Sequence, residues 1–153
     1  MEDVALFLHL IGVLVFVAGI VLAGVVFESA RRCEQLAQIA LLLSLVRSAV
    51  VLVGFGGLLL FMCGLWLVEL EGIGYGTGWV DAAIVLFVVA LVLGGLGGQR
   101  PKEARKLATQ LAGEGKPASP ELRALLDDPL SRTVNYASGS LIVMILALMI
   151  FKP

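Results

Sequence analysis

Four long apolar runs, each almost free of charge, restrict this chain more than any other feature. The first, Val4 to Phe27, holds no ionisable residue except His9. At 1.5 Å per residue it is roughly 36 Å long, enough to cross a hydrocarbon core of about 30 Å. Glu2 and Asp3 precede it where a cleaved signal would carry basic residues, so it reads as a span. The second run ends at Val68, and counting back to Leu36 makes it too long for one crossing. Arg47 supplies a boundary at the headgroups, which sets the span at 48–68 and leaves 28–47 as a cytoplasmic helical extension or interfacial helix. The third span, 79–98, follows the glycine-punctuated turn from Gly72 to Gly78, and the fourth covers 134–151. Trp66, Tyr75 and Trp79 gather at the outer ends, as interfacial aromatics do. In lipid every backbone polar group must be satisfied internally, so these spans are helices.

Composition agrees: 59% hydrophobic and 15% charged residues with a mean hydropathy of +1.02 lie outside the soluble range. Four spans use up about half of 153 residues and leave room for one transmembrane domain, 1–153. The expected fold is an all-α, antiparallel four-helix transmembrane bundle. A net charge of −1 gives nucleic acid no electrostatic footprint. The bilayer is the expected partner, with a membrane protein or a second copy as further candidates.

Orientation follows from the basic residues. Arg31, Arg32 and Arg47 lie in the first connection, and Arg100, Lys102, Arg105, Lys106, Lys116, Arg123 and Arg132 in the third, 99–133; Lys152 alone falls on the other side. Cytoplasmic loops retain Lys and Arg, so ten against one puts both loops inside a bacterial-type plasma membrane, with both termini and the 69–78 loop outside. Within the long loop, Pro101 suits a first helical position, and Ala104, Leu107, Ala108 and Leu111 repeat at helical spacing until Gly113 stops the run. Ser119-Pro120-Glu121 opens a second short helix with Leu122, Leu125 and Leu126, ended by Asp128-Pro129. These short amphipathic cytoplasmic helices are expected along the inner headgroups, as a connector or as a docking surface.

Small residues mark where the spans pack, because lipid tails offer no hydrophobic drive between helices. Ala5, Gly12 and Gly19 repeat every seven residues, as do Ala83, Ala90 and Gly97, with Gly94 beside them. Ser140 and Ala147 do so in the fourth span, and Gly57 and Gly64 mark the second.

His9 is the only histidine. At 100° per residue it lies about 60° from the Ala5–Gly12–Gly19 stripe and so faces inward. Counting from the outer end puts it roughly 8 Å deep, while Met144 and either Met62 or Cys63 come at roughly 10–12 Å. A His with thioether or thiolate partners suits Cu(I), and His with Met suits haem iron. His9 and Met144 are therefore candidate haem ligands, and His9, Met62, Cys63 and Met144 candidate copper ligands. A neutral imidazole bonded to a neighbouring helix or to interfacial water, with Met144 filling a gap, accounts for the same residues. Asp81 reads as a carboxylate favoured in the first turn of its helix. Cys33 and Cys63 lie at different depths and are not expected to pair. No serine has a histidine at matching depth, so nothing supports a hydrolytic enzyme.

The motifs Leu8-His9-Leu10-Ile11-Gly12, Cys63-Gly64-Leu65, Gly78-Trp79-Val80-Asp81-Ala82-Ala83, Gly97-Gly98-Gln99-Arg100-Pro101, Glu121 to Leu126, Asn135-Tyr136-Ala137-Ser138-Gly139 and Leu148 to Pro153 resemble the predicted integral membrane proteins grouped as domain of unknown function 2269. Nearly the whole chain is covered. The resemblance implies a four-span fold with no assigned activity, near copper-resistance D-type proteins and a haem-linked protoporphyrinogen oxidase that has a histidine in its first span. This chain has no second histidine and no basic residue within its second span. The two functional readings are thus haem (haem b) or copper binding through His9 near the outer face, and a non-catalytic accessory or assembly subunit.

Overall fold

The computed structural model describes residues 1–73 and 76–151. Tyr75 and Lys152, which entered the aromatic and charge readings, lie outside the described residues. Six helices follow one another: α1 (Glu2–Arg32), α2 (Leu36–Leu70), α3 (Gly78–Gly97), α4 (Gln99–Gly113), α5 (Pro120–Leu126) and α6 (Pro129–Phe151), with no strand among the described residues. Among the described residues, four helical segments are long and apolar enough to cross a membrane: Glu2–Arg32, Leu36–Leu70, Gly78–Gly113 and Pro120–Phe151.

Each helix ends for a local reason. α1 has Glu2 and Asp3 in its first turn and Arg31 and Arg32 in its last, matching the helix dipole. Both arginines return to Glu28, at 2.8 and 3.2 Å, and the helix stops at extended Cys33. α2 closes on Gly72, whose φ of 65° suits glycine. The Gly72 and Ile73 amides donate to the Glu69 and Val68 carbonyls, which completes a Schellman cap. The same device ends α4, but at Gly115 (φ 66°), with Gly115 and Lys116 donating to Ala112 and Leu111. Gly113 is therefore the last helical residue, because the αL position required by the cap lies two residues further on. Just beyond it, hydrogen bonds from Lys116 and then Gln110 hold the Glu114 carboxyl below its ordinary pKa.

Asp128-Pro129 follows the end of α5, as expected, and also opens the next helix. Asp128 Oδ2 accepts the Ser131 amide at 2.8 Å, so the pair opens α6 a turn before the expected start of the fourth span. Ser119 caps α5 by accepting the Leu122 amide at 3.2 Å, with Pro120 at the first turn.

Two compact units divide the chain, Met1–Cys33 with Leu41–Gly74 and Glu34–Ala40 with Tyr75–Pro153. In the first, α1 buries Ala5, His9, Gly12, Phe16 and Gly19. A Cβ on Gly12 would stand 2.5 Å from the Leu60 amide nitrogen, one on Gly56 2.5 Å from that of Phe16, and one on Gly19 2.8 Å from that of Val53. Partner numbers in α2 fall as those in α1 rise, and only glycine permits this backbone approach. Gly56 makes the contact beside the expected Gly57, which is also buried.

In the second unit α3 buries Ala83, Ala90 and Gly97 against α6. On α6 the inward stripe is Ser131, Ser138 and Ile145, not Ser140 and Ala147. Ser138 donates to the Ala90 carbonyl at 2.9 Å, whereas exposed Ser140 donates within its own helix to Tyr136. Ser131 donates to the Gly97 carbonyl at 2.7 Å. Pro101 explains this bond: it has no N–H to offer the carbonyl four residues back, and the serine hydroxyl from α6 supplies a donor. The same missing bond accounts for the break at Gly98 between α3 and α4. Pro101 accordingly stands third in α4, buried, rather than first.

The apolar faces of α4 and α5 pack on each other. Ala104, Ala108, Leu111, Leu122 and Leu126 are all buried, so protein rather than the expected headgroup layer takes up these faces.

Candidate functional site around His9

His9 comes from the middle of the α1 stripe and is 8% exposed. Its Nδ1 lies 2.8 Å from the Leu60 carbonyl oxygen. A carbonyl only accepts, so Nδ1 carries the hydrogen and donates it; in the neutral ring the lone pair is then on Nε2. The reach to a backbone carbonyl depends on the glycine-lined approach one turn further along, where Gly12 meets Leu60. Gly64 completes the seat: a Cβ there would come within 3.1 Å of Cε1 and 3.2 Å of Nδ1. The imidazole is thus wedged between two helices, with one nitrogen committed and its counterpart available.

The other candidate ligands are placed differently. Cys63 is buried, 7% exposed, with a free thiol, and stands next to Gly64 in the same helix pair. Met62 is 57% exposed and lies about 200° around α2 from Leu60, so the structure does not bring it to His9. Met144 is 52% exposed on α6, where its neighbour Ile145 is the buried residue. No group of three His, Cys, Asp or Glu side chains converges among the described residues. Asp81 is exposed in the first turn of α3 and accepts the Gly76 amide at 3.4 Å.

Leu60 escaped the sequence reading because its contribution is a main-chain oxygen, which no side-chain pattern reports. Gly64 was visible as a small residue, but its role as the space beside His9 required the pairing of α1 with α2.

The sequence profile of a family described as predicted integral membrane protein (DUF2269) matches residues 3–153. No curated protein and no solved structure matches the chain.

Proposed function

Because the chain belongs to this DUF2269 family of predicted integral membrane proteins, we propose that it is a four-span, antiparallel protein of the plasma membrane that binds haem b through His9 Nε2 near the outer face. The observation that carries this reading is the Nδ1–H bond to Leu60. Histidines that ligate iron commonly donate their other nitrogen to a backbone carbonyl, which fixes the tautomer and the ring direction. The donor set favours haem over a bare ion. His9 would hold haem as its one protein ligand, the porphyrin itself supplying the remaining donors, whereas a caged ion needs three or four side chains, and no such cluster of His, Cys, Asp or Glu stands among the described residues. Bound there, haem would supply one-electron iron chemistry. The chain's own part is to orient one imidazole and hold its proton on Nδ1.

Buried Cys63 in the same helix pair favours a second reading, Cu(I) held by imidazole and thiolate. The absorption spectrum and metal content of the detergent-purified protein separate the two. Haem binding predicts a Soret band that His9→Ala abolishes. Stoichiometric copper without that band selects the second reading. Neither chromophore nor copper, with a stoichiometric protein partner retained in mild detergent, would replace both with an accessory or assembly subunit.

A further inference from the structure

One charged side chain within the apolar length of the first unit has no role so far. Arg47 is exposed on α2, and among the described residues it makes no hydrogen bond or ion pair. α2 passes through it unbroken, with exposed Leu41 and Leu45 on one side and Val50 and Val51 on the other. The register of the pair locates it further. From Gly12 against Leu60 to Gly19 against Val53, each step along α1 is matched by an equal step back along α2. Continued, it sets Arg47 roughly level with Val25, about one turn inside the ion pairs of Glu28. The apolar surface of α2 runs on past it to Leu41, roughly 9 Å.

A guanidinium beside lipid at such a depth is costly unless paired, and its fork of donors matches phosphate. Its helical neighbours add to this. Ser44 and Ser48 stand three residues before it and one after, both exposed on the same side of α2. Ser44 returns its hydroxyl to the Leu41 carbonyl at 2.6 Å, which leaves Ser48 as the second donor. Exposed Val51 and Phe55, four and eight residues on, continue the same face along the helix.

We infer that Arg47, with Ser48, is a binding site for the phosphate of an anionic phospholipid whose acyl chains lie along Val51 and Phe55. The guanidinium donates to the two non-bridging phosphate oxygens, and the serine hydroxyl donates to one of them. Net negative headgroups are favoured because a zwitterionic headgroup brings its own cation to compete for the phosphate. This inference is independent of any ligand at His9.

Native mass spectrometry of the detergent-purified full chain, titrated with phosphatidylglycerol and with phosphatidylcholine, tests it. The wild type is expected to retain phosphatidylglycerol roughly five-fold better, the scale of one basic residue at an anionic surface. Arg47→Gln should remove that preference, Arg47→Lys should keep part of it, and Arg132→Gln, a change at another exposed arginine, should leave it intact. Equal retention of the two lipids by the wild type would overturn the inference without recourse to any variant. So would a preference that survives in Arg47→Gln. A wild-type dimer that Arg47→Gln dissociates would assign the guanidinium to a carboxylate of a second copy instead.

Discussion

At the scale of single residues, space and proton position at His9 decide what the site can do. Gly64→Ala puts a methyl group 3.1–3.2 Å from the ring, tighter than ordinary contact, so the imidazole must shift by a few tenths of an ångström. The expected outcome is a weakened Soret band with the protein still folded, read by absorption and circular dichroism on one sample. Gly12→Leu meets backbone instead and should separate α1 from α2, costing about 1–3 kcal/mol as an overpacked contact does, measured by unfolding in mixed detergent. Ser131→Ala removes the hydroxyl that serves the Gly97 carbonyl; leaving that acceptor unpaired should cost about 1–3 kcal/mol in the same assay, while Ser140→Ala stays within about 0.5 kcal/mol. The inward direction of His9 and the glycines facing α2 were legible because a helix has a fixed angular step. The two serines on α6 were not. Ser131, Ser138 and Ser140 are equally small, and only the positions of acceptors on α3 distinguish the stripe that bonds from the one that faces away.

At the scale of helices, two kinds of end signal read two ways in the sequence. A helix stop depends on which residue adopts αL, and a Pro can close one helix or open the next. Gly113 and Gly115 lie two apart, and the structure places the cap at the second. Gly115→Ala should therefore destabilise the α4 end by about 1 kcal/mol, whereas Gly113→Ala, inside the helix, should be neutral or stabilising. Asp128→Ala should cost about 1 kcal/mol through loss of the Ser131 amide bond at the start of α6. Thermal unfolding of the three variants in one detergent ranks them. The amphipathic pattern of α4 and α5 was plain in the sequence, but a pattern says only that a face is apolar; the structure shows that face covered by protein rather than by lipid headgroups.

At the scale of the whole molecule, the account depends on the four apolar helices crossing a bilayer with the arginine- and lysine-bearing connections kept on the cytoplasmic side. Hydropathy and charge asymmetry carried that expectation with no need of coordinates, since insertion is governed by the same two quantities. His9 near the outer face and Arg47 near the inner one both follow from it. The direct test is labelling with a membrane-impermeant thiol reagent, applied to single cysteines introduced at exposed positions in a Cys33→Ser, Cys63→Ala background. Glu71→Cys should be modified in sealed, intact cells, and Lys102→Cys only after permeabilisation. Modification of Lys102→Cys in intact cells as readily as Glu71→Cys would contradict the account.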